Sequence, residues 1–442
     1  MSEWKKVKIG DFLTESKIIA EESDAAHRIT VRLNCKGVEQ RSLKAEKEGA
    51  TKYYTRKAGQ FIYGKQNIHK GAFGIIPQEL DGFTSSADLP AFDVDLSKCI
   101  PEWICICLQK DEYYKSLQKN VKGVGSQRLA VNVFLDSEIP LPSVEKQEEI
   151  IKKIKLQLQK AEQLAVELEL QKNYIKQLRQ NILQDAIEGK LTADWRKQNP
   201  VQKGNPDYDA EALFEQIQKE RNSDKKQKEL SPITEEEKLF EIPKGWKWVR
   251  LGNIVENITS GSREWAKYYS NKGAIFLRMG NLSRDSYKLR LEKLQYVCVP
   301  ETTEGKRTRL LPFDLLFSIT AEIGNLGLIP ENFPEAYINQ HTARIRFVDS
   351  IKQSLFFANS LLAPAIRKQY MPNAHGMKNS FRLDTLSYLM VPLPPLTEQR
   401  EIVAQVEKHL QTVSDLENQI TEREQLTKQL MQSILKDAFE EK

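Results

Sequence analysis

The string "GQFIYGKQ", residues 59–66, has the outline GxxxxGK, in which a glycine-rich turn cradles phosphates and a lysine reaches them. Its details point elsewhere. Gln66 stands where a hydroxyl would hold magnesium, and the interior "QFIY" is bulky and strand-like, so the stretch reads as a strand ending in a basic turn. Methyl transfer would call for a glycine-rich loop after a first strand and an Asn/Asp-Pro-Pro-aromatic string, and neither occurs. Pro394 and Pro395 are flanked by Leu393 and Leu396, which present no polar group to an amino nitrogen. The acidic "PDYDAEALFEQ" (206–216) lacks the Glu-x-Lys that would complete a nuclease site and reads as a solvated helix. His27, His69, His341, His375 and His409 stand singly, none at metal-ligand spacing. Cys35, Cys99, Cys105, Cys107 and Cys298 form no CxxC pair and suit reduced, buried thiols. The chain is expected to hold no catalytic residue, metal or cofactor of its own.

What remains are polar, glycine-containing loops. "GKQNIHKG" (64–71) offers Lys65, Gln66, Asn67 and Lys70, and "TSGSREWAKYY" (259–269) offers Ser262 and Arg263. "NVKGVGSQR" (120–128) offers Lys122, Ser126, Gln127 and Arg128, and "NAHGMKNSF" (373–381) offers His375, Lys378, Asn379 and Ser380. Cations, amides and hydroxyls of this kind suit phosphates and base edges, and Gly123, Gly125 and Gly376 would let a partner come close to the backbone. On composition alone the same loops serve equally as solvated surface.

The elements that must position these loops come in two copies. "IPLPSVEKQEEII" at 139–151 returns as "VPLPPLTEQREIV" at 391–403, 252 residues on, and the match runs without a gap to Lys190 and Lys442. Nineteen of the 52 aligned residues are identical, among them Pro140/Pro392 and Gln147/Gln399, too many for chance. Each string reads as a strand end, a proline elbow and a long amphipathic helix, the second beginning after Thr397 as N-cap. The first helix carries Ile151, Ile154, Leu158, Ala161, Leu164, Leu168, Ile175, Leu178 and Ile182 on one stripe and ends at a Gly189 C-cap. The second carries Ile402, Val406, Leu410, Val413, Leu416, Ile420, Leu430 and Ile434. So narrow a seam is coiled-coil-like, and the nearest partner for each helix is the other copy, paired antiparallel.

Ahead of each helix the chain alternates short apolar runs with turns, as in mixed α/β domains, with one helix expected near 101–119. "EWKKVKIGDF" (3–12) is echoed by "GWKWVRLGNI" (245–254), and "GAFGIIP" (71–77) by "GNLGLIP" (324–330). The expected order is a domain over 1–138, a helical region over 139–195, an exposed connector over 196–243, a second domain over 244–390 and a second helical region over 391–442. A chain of 442 residues suits two or three domains. Its net charge of +5 announces no polyanion partner for the chain as a whole. It has no run of 18 apolar residues and no signal-peptide pattern at the start, so a cytoplasmic protein without membrane contact is expected.

The doubled "[IV]PLP…Q..I" elbows, "AIEGKLTADWR", "IPKGWKWVRLGNI" and "GAFGIIPQELDGFTSSADLPAF" together resemble the specificity subunit of type I restriction-modification systems, over essentially the whole chain. "TSSADLP" departs from the commoner Ser-Asn-Asp/Glu-Phe-Pro form at Ala87 and Leu89. The resemblance implies two target-recognition domains, each reading one half of a split site in double-stranded DNA, with the paired helices setting the gap. It also implies docking of two methyltransferase subunits and of motor-nuclease subunits. S-adenosylmethionine, ATP and magnesium would belong to those partners. The alternative is a coiled-coil scaffold whose end domains bind proteins.

Overall fold

The computed structural model describes residues 4–21, 24–42, 52–120, 128–222, 230–299, 308–371 and 381–437. It divides into two compact units, Met1–Leu170 with Ile420–Lys442, and Gln171–Gln419. Each division falls inside a long helix, the first spanning Val144–Ile187 and the second Leu396–Asp437. Among the described residues no helix is long and apolar enough to cross a membrane.

In the first unit the strands are β1 (Lys6–Lys8), β2 (Leu13–Ser16), β3 (Ile29–Val31), β4 (Val38–Gln40), β5 (Tyr53–Thr55), β6 (Phe61–Tyr63), β7 (Phe73–Ile75), β8 (Thr84–Ser86), β9 (Ala91–Val94) and β10 (Glu138–Pro140). A four-stranded antiparallel sheet runs β2-β9-β6-β7, flanked by the pairs β3-β4 and β5-β8. Strand β6 is buried at every residue, which explains the unbroken apolar run "FIY". Phe61 stacks on Phe134 at 5.5 Å, and Trp103 donates through Nε1 to the Pro140 carbonyl at 2.9 Å. A fully buried aromatic of this size contributes on the order of 2 kcal/mol. Trp103 lies on a helix covering Pro101–Gln109, shorter than expected, after which the chain breaks into single turns.

The second unit contains β11 (Lys247–Arg250), β12 (Val255–Ser260), β13 (Tyr269–Ser270), β14 (Ala274–Leu277), β15 (Gln295–Val297), β16 (Leu315–Ser318), β17 (Leu326–Leu328), β18 (Ala336–Ile338), β19 (Thr342–Phe347) and β20 (Met390–Leu393). Its main sheet runs β12-β19-β16-β17, the same order of entry as β2-β9-β6-β7. The registers correspond as well. Phe61 faces Phe92 and Ile75, and Leu315 faces Ile345 and Leu328. A second sheet, β13-β15-β14-β18, contains one parallel pair, β14 with β18.

The connector differs from the exposed segment expected. Its helix Ala210–Asn222 buries Ala210, Leu213 and Ile217 completely, a 3.6-residue stripe that is itself the reason for packing. Pro206 and Asp207 accept backbone hydrogen bonds from Leu396 and Thr397. Thr397 therefore sits in the first turn of the second long helix, its hydroxyl donating to the Asp207 carbonyl, and does not serve as N-cap. Gly189 does end the first long helix. It is left-handed at φ +71°, its N–H reaching Ala186 and that of Lys190 reaching Asp185, the paired bonds of a Schellman cap.

Candidate nucleic-acid interface

Two loops that lie far apart in the sequence of the first unit converge on one corner. After β6 the chain turns at Gly64, and the Lys65 N–H donates to the Asp88 carbonyl at 3.0 Å. The Lys65 carbonyl accepts from Leu129 N–H at 2.9 Å, which brings in the segment carrying Arg128. Arg128 closes the corner with a two-pronged bond to Asp88, Nε to Oδ1 at 3.0 Å and Nη2 to Oδ2 at 3.1 Å. Those bonds and the carboxylate charge hold the guanidinium above its ordinary pKa. The pair is exposed and screened by solvent, so it adds little to stability and is better placed to orient the guanidinium.

Gln66 and Lys70 are exposed and Asn67 half-buried on the same turn, which closes at Gly71. Gly71 has φ +78°, and a Cβ there would come within 2.8 Å of the Cys35 backbone nitrogen, so glycine is required. Through this approach the Asn34 N–H reaches the Lys70 carbonyl at 2.8 Å, and a shallow pocket forms with Arg32, Asn34, Lys36 and Asn67 on its wall. Asp88, Arg32, Asn34 and Lys36 were not singled out by sequence; Asp88 was visible within "TSSADLP", but nothing local ties it to Arg128. Because β6 is a buried strand, "GQFIYGKQ" forms no phosphate cradle. Lys122, Ser126, Gln127, His375, Lys378, Asn379 and Ser380 lie outside the described residues.

In the second unit the expected pair separates. Arg263 is exposed, whereas Ser262 is only 5% exposed and bridges to Asn339. The cause is Gly261, where a Cβ would stand 2.1 Å from the Ile338 carbonyl oxygen, so the chain is pressed against β18.

Each proline elbow is closed by its glutamine. Gln147 donates through Nε2 to the Pro142 carbonyl at 2.9 Å and accepts from Ile100 N–H at 2.9 Å. Gln399 donates to the Pro394 carbonyl at 2.8 Å and accepts from the Ser354 hydroxyl at 2.7 Å. The side-chain amide satisfies a carbonyl that a proline-rich turn leaves open.

Along the long helices, Leu168, Ile175 and Ile182 are buried at seven-residue intervals, as are Val406, Val413, Ile420, Thr427 and Ile434. Ile151 and Ile402 are buried, and Leu158 and Leu410 half-buried. In the first unit Ile434 joins the cluster of Ile151, Ile154 and Ala161. In the second, Arg179 pairs with Glu417 at 3.0 Å. Leu178 and Leu430, expected on the stripe, are 43% and 47% exposed, and Leu164 and Leu416 are exposed too. All four stand three residues beyond a buried seven-residue position, so one helical face buries a single narrow row and leaves its flank open.

All five cysteines are free thiols, and burial pushes Cys99 up to about 12. Among the described residues no three His, Cys, Asp or Glu side chains gather as metal ligands.

Residues 243–426 match the family described as the Type I restriction modification DNA specificity domain, and the chain is similar to the specificity subunits of type I restriction-modification systems. It is 28% identical over 260 residues to the specificity subunit of the Escherichia coli type I restriction enzyme EcoAI, covering 54% of this chain and 40% of that one. To the EcoBI specificity subunit of the same organism it is 23% identical over 331 residues, covering 74% and 63%. The matches thus span less than two thirds of these relatives. A solved chain from a study of complex assembly in a type I R-M system shares the fold at a TM-score of 0.63 and 19% identity, over 99% of this chain and 98% of that one.

Proposed function

We propose that this chain is a non-catalytic DNA-recognition subunit that reads a split duplex site, one half-site per unit. The observation that carries the reading is the repeated sheet: strand order and register are kept in both units while the loops leaving β6 and β16 differ in every polar side chain. A constant frame under variable loops is what two independent readers require. In the first unit Lys65, Gln66, Asn67, Lys70 and Arg128 supply phosphate and base contacts, and Arg263 does so in the second. The long helices pair antiparallel and set the gap between half-sites. Exposed leucines in each unit, Leu164 and Leu430 in the first and Leu178 and Leu416 in the second, give methyltransferase subunits, and beyond them motor-nuclease subunits, apolar surface to dock on. S-adenosylmethionine, ATP and magnesium act in those partners.

The test is selection of duplexes from a randomised pool by the full chain. A bipartite motif with one fixed gap is expected, bound with an affinity that falls as salt rises because neutralised phosphates release counterions. Inserting four residues near Glu167 adds ~6 Å of helix against ~3.4 Å per base pair, so the selected gap should lengthen by about one or two base pairs with both halves unchanged. A chain that selects no split motif, and whose weak binding ignores salt, is a protein-binding scaffold instead.

A further inference from the structure

The β6 corner of the first unit has a counterpart in the second that no sequence motif marks. Register alone locates it. Phe61 and Leu315 hold the same place in their sheets, so Lys65 corresponds to Ile319, Gln66 to Thr320, Asp88 to His341 and Ala87 to Gln340. The backbone bonds repeat. Lys65 N–H reaches the Asp88 carbonyl at 3.0 Å, and Ile319 N–H reaches the His341 carbonyl at 3.0 Å. Lys65 accepts from Leu129 N–H at 2.9 Å, and Ile319 accepts from Phe381 N–H at 2.8 Å.

On this common frame the side chains differ in kind. The Gln340 amide nitrogen lies 2.8 Å from His341 Nε2, and the Thr320 hydroxyl 2.9 Å from His341 Nδ1. An amide nitrogen can only donate, so Nε2 accepts and the ring proton sits on Nδ1, donating to the Thr320 oxygen. That leaves the Thr320 hydroxyl hydrogen and the Gln340 carbonyl oxygen to serve a ligand: one donor and one acceptor, both neutral. All three side chains are half-buried, so their geometry is held while part of each stays at the surface.

We propose that Thr320, Gln340 and His341 determine the base preference of the second half-site, as Lys65 and Arg128 do that of the first, with His341 acting as the positioning residue between the other two. The inference rests on the DNA-reading function proposed above. Cationic side chains favour the O6 and N7 acceptors of guanine, whereas a neutral donor or acceptor suits an adenine–thymine pair, through the N7 or N6 of adenine or the O4 of thymine. The first corner then selects a guanine and the second an adenine–thymine pair.

The full chain, and variants Gln340→Ala, Thr320→Val, His341→Ala and Lys65→Ala, are titrated against the selected duplex and against duplexes changed at one base pair at a time. Gln340→Ala and Thr320→Val should each lose about tenfold of discrimination at an adenine–thymine pair in one half-site and keep all discrimination in the other. Lys65→Ala should do the reverse, and it alone should flatten the salt dependence by about one counterion. Thr320→Val is nearly isosteric, so its loss of discrimination is read without a change of packing, and His341→Ala, which releases both partners, should lose at least as much in the same half-site. Full discrimination in both Gln340→Ala and Thr320→Val, or a uniform loss over all sequences, overturns the assignment. Absence of any split-site preference in the unmodified chain overturns the parent function instead.

Discussion

The two elbows share a glutamine and differ at the residue before it. Lys146, ahead of Gln147, is half-buried and pairs with its exposed helix neighbour Glu149 at 2.8 Å. Glu398, ahead of Gln399, is buried and collects three donors: Trp246 Nε1 at 2.7 Å, the Thr192 hydroxyl at 2.8 Å and Arg196 Nη1 at 2.9 Å. Burial pushes its carboxyl above the usual range while the three donors pull it back. The glutamine meets a need of the backbone and recurs wherever the elbow does. The glutamate meets a need of the second unit, where the cap of the first long helix, with Arg196 bonded to the Gly189 carbonyl, must be fastened beside β11. A repeat therefore keeps what the turn demands and departs where a neighbouring segment docks.

The largest effect should expose that departure. Glu398→Ala strands the Arg196 guanidinium, which is mostly buried, together with two further donors. Breaking a buried pair in this way costs about 3–5 kcal/mol. Lys146→Ala, at the matching position, should change stability by less than about 0.5 kcal/mol. Urea unfolding followed by tryptophan fluorescence reads the difference, since Trp246 reports on the site directly. Equal, small losses in both variants would mean that the glutamate is as dispensable as the lysine.

A smaller and more even effect tests what the elbows share. Gln147→Ala frees Ile100 N–H and two carbonyls, those of Lys98 and Pro142, and Gln399→Ala frees the Ser354 hydroxyl and the Pro394 carbonyl. Each should cost about 1–3 kcal/mol, the penalty for buried polar groups left unsatisfied. Hydrogen exchange should show lost protection centred on the first turn of the adjacent long helix. A loss in one unit several times that in the other would indicate that the two glutamines do different jobs.

The elbows and the two long helices could be read from the sequence because each follows from local periodicity and from identity between the two strings. The corners could not. Asp88 meets Arg128, and Thr320 meets His341, through sheet register, and no spacing within either loop encodes it. Ser262 looked like surface because its string is polar, but Gly261 presses it against β18. Leu178 and Leu430 are exposed for a related reason: hydrophobicity at helical spacing marks a stripe, and the width of the contact decides how much of the stripe is covered. The connector reads as exposed because most of it is polar, yet three apolar residues at helical spacing suffice to anchor its helix.

The smallest expected effect also has the opposite sign, and it comes from the helices that the two glutamines hold. Gln147 grips the chain just ahead of Pro101–Gln109, whose buried side chains are Trp103, Ile104, Ile106, Cys107 and Leu108. Gln399 grips the chain just ahead of Phe356–Leu362, which buries Asn359 at 1% exposure with neither its amide nitrogen nor its oxygen hydrogen-bonded. Asn359 borders a cavity of about 380 Å3 that Leu183, Tyr287, Leu362 and Leu410 also line. An unpartnered buried amide costs roughly 1–3 kcal/mol, whereas an apolar side chain of similar volume costs nothing of the kind. Asn359→Leu should therefore stabilise the second unit by about 1–2 kcal/mol, a rise of a few degrees in melting temperature for a unit of this size. Cys107→Asn, which places an amide on the helix of the first unit, should destabilise by a similar amount or more. If Asn359→Leu instead melts lower than the unmodified chain, the amide is satisfied in solution and the contrast between the two helices is one of hydration, with no stored cost.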